Sequence, residues 1–241
     1  MKSLFLLVLI LAQLGFAQDE KYFDSPFGMG GGFTPGWFMP NLDAVNSNLA
    51  AFGTSELSKA GFFASGGSGF VYIGFIPNLR IGGMGLGGST KQTGVKDGYR
   101  REIVYSSGFG GLTVEYTLPI VRDFGISLGA IIGGGGTTIE IYSNKGNFDW
   151  ANVWNDSSDA LTNSGNISRK LQNYYFMFAP TLNIDIPIYR ILAFRVGAGY
   201  SLAFNKNWKI DNDNDLFNVP TDLNSNQFFI QMGIFFGFFS Y

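Results

Sequence analysis

The 241-residue chain carries 34 glycines and 25 phenylalanines, with 17% aromatic and only 14% charged residues, a net charge of −2 and a pI near 5.1. So even a balance lacks the basic field from which nucleic-acid binding draws most of its affinity, and that class is set aside. With no cysteine there are no disulfides or thiolate metal sites, and with no histidine the Ser-His and Asp-His arrangements are gone, so no enzymatic activity is expected.

The chain opens on Met1-Lys2-Ser3, an apolar run from Leu4 to Phe16, and Gly15-Phe16-Ala17 ahead of the polar Gln18-Asp19-Glu20. This is the pattern of a signal peptide over residues 1–17, cut after Ala17. The apolar run is too short for a spanning helix, which needs about 20 residues. The remaining residues, 18–241, read as one all-β domain. Soluble domains usually carry about 25% charged residues. A chain this apolar, with no spanning helix, either hides a large core or meets lipid through alternating strands.

Strands are predicted at 28 to 38, 60 to 76, 79 to 92, 100 to 118, 124 to 142, 170 to 187, 190 to 207 and 226 to 240. In the seventh, Leu192, Phe194, Val196, Tyr200 and Phe204 alternate with Arg195, Gly197, Gly199 and Ser201. Period two over this length is a strand with one apolar and one small or polar face. The sixth repeats it, with Tyr174, Phe176, Phe178, Leu182, Ile184 and Ile186 opposite Asn173, Thr181, Asn183 and Asp185, and the last sets Phe228, Ile230, Met232, Ile234, Phe236 and Phe238 against Gln231, Gly233 and Gly237. A sandwich would carry Lys, Glu and Thr on its second face. Here that face is small and uncharged, as a barrel lumen would be.

The links at Pro77-Asn78, Pro119 to Asp123 and Pro187 to Tyr189 are short, and they alternate with longer links at 39 to 59, 93 to 99, 143 to 169 and 208 to 225. Outer-membrane barrels separate short turns from long loops in this way. Tyr142, Tyr174 and Trp208 fall near the loop ends of the apolar face, and Tyr116, Phe124 and Phe238 near the turn ends, as interfacial aromatic belts require. The expected fold is an antiparallel up-and-down transmembrane β-barrel of about eight strands with a short helix near its N-terminus.

The strand number, the loop asymmetry and the closing Phe235-Phe236-Gly237-Phe238-Phe239-Ser240-Tyr241 resemble the small eight-stranded bacterial outer-membrane barrels of the OmpA, OmpX and OmpW type. The resemblance is one of architecture, covers residues 18–241 and names no subfamily. It implies the outer membrane as location, the lipid bilayer and lipopolysaccharide as surroundings, and the outer-membrane assembly machinery as a partner. In that group the final aromatic is in phase with the lipid-facing positions, whereas Tyr241 is out of phase with Phe236 and Phe238.

On the inferred lumen face Glu115, Asp185 and Arg195 form a candidate ion cluster, because a charge inside a narrow barrel is costly unless paired. Asp185 and Arg195 are expected to meet diagonally across the Pro187 turn, and Glu115 to reach Arg195 across the interior. Glycines 67, 69, 83, 85, 87, 111, 125, 129, 133, 135, 197, 199 and 233 are all read as facing inward. Small barrels fill their lumen with side chains, so the space left is assigned to water, a ligand or the chain itself, or else glycine serves strand coiling and close packing. Leu42, Val45, Leu49 and Phe52 recur at helical spacing and make 42–52 a candidate plug helix. Gly83-Met84-Gly85-Leu86-Gly87-Gly88 has dinucleotide-fingerprint spacing without the helix that motif needs. Asp211 to Asp215 resembles a calcium loop, but Leu216 stands where glycine belongs and Asp222 where the bidentate glutamate belongs. No cofactor and no metal site are expected.

The leading reading is an integral outer-membrane barrel, porin-like in architecture, with a plugged lumen and a structural or surface-interaction role through its Asn-, Asp- and Ser-rich loops. Those loops suit contact with other cells, surfaces or neighbouring copies of the chain. The alternative is a narrow pore or a binder for small apolar molecules. A third, weaker reading is a soluble secreted barrel with the phenylalanine face turned inward.

Overall fold

The computed structural model describes residues 28–121, 124–145, 150, 166–205 and 207–239. The expected signal segment 1–17, Tyr241 and most of the 143–169 loop lie outside the described residues.

Alternating sequence produces the strands β1 (Gly28–Phe33), β2 (Gly36–Pro40), β3 (Phe62–Tyr72), β4 (Leu79–Lys96), β5 (Tyr99–Leu118), β6 (Gly125–Asn144), β7 (Ile167–Tyr189), β8 (Leu192–Phe204) and β11 (Gln227–Phe239). Between β2 and β3 lies helix α1 (Asp43–Phe52), and β9 (Lys209–Ile210) and β10 (Asn214–Asp215) form a small hairpin between β8 and β11. Neighbouring strands pair antiparallel in chain order, and β11 pairs with both β8 and the β1–β2 segment, which also pairs β3. The sheet therefore closes into a ring of eight staves. Strands β1 and β2 are one stave in continuous register, interrupted at Thr34-Pro35 where proline has no N–H to give. There the Thr34 N–H reaches the Gly66 carbonyl at 3.0 Å and the Met232 N–H reaches the Pro35 carbonyl at 2.9 Å.

The turn end carries the chain ends of β1 and β11 and the short connections after β3, β5 and β7; the loop end carries α1 and the 205–226 segment. One link there is far shorter than expected. Strands β4 and β5 run on to Lys96 and Tyr99, and only Asp97-Gly98 joins them, with φ of 55° and 77°. Positive φ at both centre positions is the hairpin turn that Asp-Gly favours, and its twist matches the strands.

Strands of up to 23 residues exceed the 9–11 or so that cross a bilayer at a tilt, so β5, β6 and β7 project beyond it. Outside the ring, Phe176, Phe178, Leu182, Ile184, Ile230, Ile234, Phe236 and Phe238 are exposed. An apolar belt on a closed sheet has no edge to solvate and is what a bilayer accepts. Tyr174 is exposed on the outer face towards the loop end, and Tyr116 and Phe238 towards the turn end. Trp208 departs from the expected belt: it is 2% exposed and lies in the interior cluster at the loop end. No helix among the described residues is long and apolar enough to cross a membrane.

The glycine assignment divides. Glycines 111, 125, 129, 133, 135, 197, 199 and 233 share the inward phase of Glu115, Ile131, Arg195 and Gln231, as read from the sequence. Glycines 67, 69, 83, 85 and 87 face outward, because in β3 and β4 it is Phe62, Phe70, Arg80, Met84 and Leu86 that are buried.

Candidate functional site

Four charged side chains meet inside the ring towards its turn end. Arg80 on β4 stands directly across from Glu115 on β5, and Asp185 on β7 directly across from Arg195 on β8. The Asp185–Arg195 pair is thus in register, where a diagonal offset was expected. The Arg80 Nε donates to Glu115 Oε2 at 2.5 Å, and its Nη2 lies 2.6 Å from Asp185 Oδ2 on the far wall. The Arg195 Nε donates to Asp185 Oδ1 at 2.6 Å, and its Nη1 reaches Glu115 Oε1 at 3.3 Å. Each carboxylate is held by both guanidinium groups, and all four side chains are at most 5% exposed. Two positive and two negative charges cancel.

Polar neighbours complete the coordination. The Asn183 Nδ2 donates to Glu115 Oε1 at 3.1 Å, the Gln231 Nε2 donates to Asn183 Oδ1 at 2.7 Å, and Arg80 Nη2 donates to Ser127 Oγ at 2.9 Å. The guanidinium carbons of Arg80 and Arg195 lie over the Phe70 ring, 4.6 and 5.0 Å from its centroid. The Phe235 ring, 5.6 Å from that of Phe70, also meets the Arg195 guanidinium, at 4.8 Å. Desolvated cations over ring faces gain more than exposed ones. With every carboxylate oxygen already accepting, the quartet ties β4, β5, β7 and β8 together across the lumen and has no group left to serve as acid or base towards a substrate.

Arg80 is the member that the sequence reading missed. Two inward carboxylates and one inward arginine leave an uncompensated charge, and that imbalance was the available signal for a second cation. The inward assignment of Gly83, Gly85 and Gly87 had turned Arg80 to the outer face.

Above the quartet the lumen is filled by rings. Phe38 stacks on Phe109 with centroids 5.3 Å apart, Phe109 meets Phe229 at 5.0 Å, and Phe62 meets Phe38 at 5.9 Å and Tyr105 at 6.0 Å. The inward glycines make room for them. A Cβ at Gly199 would lie 2.5 Å from the Phe229 ring, and one at Gly135 2.7 Å from the Tyr175 ring.

Helix α1 sits on this column. Leu42, Val45 and Leu49 belong to one buried cluster with Ile103, Tyr105, Ile139 and Trp208 of the barrel and the loop end. Phe52 is half-buried, with the Arg101 guanidinium 5.4 Å above its ring. Asn46 exchanges two hydrogen bonds with the Leu57 backbone at 3.0 and 2.9 Å, and the helix ends at Gly53 with φ 92°. The Lys96 Nζ donates to the Ala51 carbonyl at 2.9 Å, and Arg101 donates to that of Phe52. Two cations from the barrel rim thus meet the negative end of the helix.

The Asp211–Asp215 run makes the turn of the β9–β10 hairpin. Asp211 accepts from the Lys170 N–H at 2.9 Å and from Arg169 at 3.2 Å, and Asp215 pairs with Lys209. No cluster of three or more acidic side chains suited to a metal occurs among the described residues.

No family model matches the chain, and no curated protein matches it. Among solved structures, a major outer membrane protein from Thermus thermophilus superposes with a TM-score of 0.51 at 7% identity, over 88% of this chain and 99% of that one. Ail, the attachment invasion locus protein of Yersinia pestis, in complex with the heparin analogue sucrose octasulfate, gives 0.40 at 11% identity over 87% and 97%. CarO2 of Acinetobacter baumannii gives 0.40 at 9% identity over 87% and 98%. With a closed ring of eight staves, an apolar outer belt and the Thermus superposition, the chain has the fold of the small bacterial outer-membrane β-barrels.

Proposed function

We propose that this chain is an integral outer-membrane barrel whose lumen is closed, and whose role, structural or interactive and not enzymatic, is exercised at its loop end. The observation that carries the reading is the filling of the lumen along its length by the Arg80–Glu115–Asp185–Arg195 quartet, the Phe38–Phe109–Phe229 ring column and α1. Residues 1–17 act as the export signal and the assembly machinery receives residues 18–241. Lipopolysaccharide surrounds the loop end, where Lys91, Arg100 and Lys170 are exposed in the outward phase of β4, β5 and β7 to meet its phosphates. The loops are the surface for a partner, a further copy of the chain included.

Single-channel recording in planar bilayers tests this. The refolded 18–241 chain is expected to be silent. A variant lacking residues 41–53 is expected to stay silent too, because the rings and the quartet remain beneath the helix. Steady conductance through the intact protein would overturn the closed-lumen reading; conductance of the deletion alone would make α1 the sole plug.

A further inference from the structure

Helix α1 does not meet the barrel rim along its whole length. Between its Val45–Phe52 side, the rim residues Ile103 and Ile139, and the irregular arm 216–223 lies a cavity of about 340 Å³. The cavity opens to the loop side, and its volume is many times the share of one water in the liquid, about 30 Å³. Even an apolar cavity of roughly 150 Å³ binds benzene, and ligand sites begin near 300 Å³. The size is that of a site for one small molecule.

The lining decides its chemistry. Aliphatic and aromatic side chains make nearly all of it, Asn48 and Asn218 are the two polar residues, and no charged residue contributes. An ion would lose its hydration with no partner, and a sugar would bury hydroxyls without enough acceptors. A polypeptide helix, about 10 Å across with its side chains, does not fit the volume. What fits is an uncharged, mainly apolar molecule with one polar end at most, set against an asparagine amide.

The arm forms the third wall of the cavity. It is tied at one end by the Leu216 N–H on the Trp208 carbonyl at 3.0 Å, and a turn within it is closed by the Leu223 N–H on the Pro220 carbonyl at 3.1 Å. Within the arm Asn218 takes φ 56°, and the Phe217 ring beside it is 79% exposed although it borders the cavity. Leu216, Val219 and Leu223 are partly buried and pack against the cluster that holds Leu42, Val45 and Leu49. We infer that the space between α1, the rim of β5–β7 and the 216–223 arm is a binding site for one small uncharged apolar molecule, reached from the loop side of the barrel. The inference rests on the closed-lumen reading only in that α1 must stay seated in the mouth.

The test uses the 18–241 chain in lipid nanodiscs, labelled at isoleucine methyls and titrated with limonene. Ile103, Ile139 and Ile141 line the cavity, whereas Ile81, Ile132 and Ile234 face lipid and report on partition into the bilayer. Saturating shifts at the first three, against a linear drift at the others, are expected. Ala44→Trp fills the cavity from the helix and Val219→Trp from the arm; either is expected to weaken the saturating response at least tenfold. Linear drift at all six methyls, or saturation that survives both variants, would overturn the site. Failure here is separable from failure of the closed lumen: a silent barrel with linear methyls refutes only the pocket, and a conducting barrel refutes the reading beneath it.

Discussion

The inner and outer walls of this barrel are two faces of one sheet, both rich in glycine, and glycine does opposite things on them. Inside, the place where a Cβ would stand is already taken: at Gly129 by Glu115 Cγ at 2.6 Å, at Gly233 by the Phe235 ring at 2.6 Å, at Gly197 by the Asn183 side chain. Outside, at Gly83, Gly85 and Gly87, the nearest atom is 3.6 to 3.8 Å away, an ordinary contact. Inner glycines stand where a neighbouring side chain or, at Gly111 and Gly133, the facing main chain already sits. Outer ones are bare backbone turned to lipid. A residue's worth in this fold is set by the wall it stands on more than by its type.

Breaking the inner wall should cost most at the quartet. Arg80→Leu leaves Glu115 and Asp185 with one guanidinium between them, and a buried charge stripped of its partner costs about 3–5 kcal/mol. Urea unfolding in phospholipid vesicles reads this directly. The double variant Arg80→Leu with Glu115→Leu restores neutrality and should recover part of the loss. If Arg80→Leu alone is neutral, the quartet is not a structural tie.

Gly133→Ala comes next. Its methyl would meet Gly111 Cα at 2.5 Å and the Gly110 carbonyl, both main chain and unable to rotate away. Overpacking of this kind costs about 1–3 kcal/mol. The same urea titration checks it, and a variant as stable as the parent would mean that β5 and β6 separate more easily than their register implies.

How much of this was legible depended on whether side chains mark the face. In β7 and β8, Asp185, Arg195 and Asn183 stand on one face and Phe176, Ile184 and Tyr200 on the other, so alternation showed which side was inward. In β4 the alternation is Met84 and Leu86 against glycine, and the lumen at that height is itself apolar, so hydrophobicity points to neither wall. Arg80, in phase with Met84 and Leu86, was the one strong marker. Trp208 was misplaced for the same reason: the loop end has a buried apolar cluster as well as an apolar belt. The spacing of Leu42, Val45 and Leu49 sufficed to place the helix, while its tethers Lys96 and Arg101 come from strands distant in sequence and left no local signal. The Asp97-Gly98 turn was local and readable, hidden only by the assumption that every loop-end link is long.

The smallest effect is the sharpest probe of the outer wall. Gly85 faces lipid, has no positive φ, and a methyl added there would find only the Phe109 carbonyl oxygen at 3.7 Å. Where the native backbone already suits alanine, replacing glycine removes freedom chiefly from the unfolded chain and stabilises by about 0.4–1 kcal/mol. Gly85→Ala should therefore raise the urea midpoint slightly while Gly133→Ala, across the same sheet in the opposite phase, lowers it. If Gly85→Ala were instead as costly as Gly133→Ala, the β4 phase that buries Arg80, Met84 and Leu86 would be wrong. The quartet would then lose its fourth member, because a one-residue slip of β4 turns Arg80 to lipid and brings Gly83, Gly85 and Gly87 into the lumen.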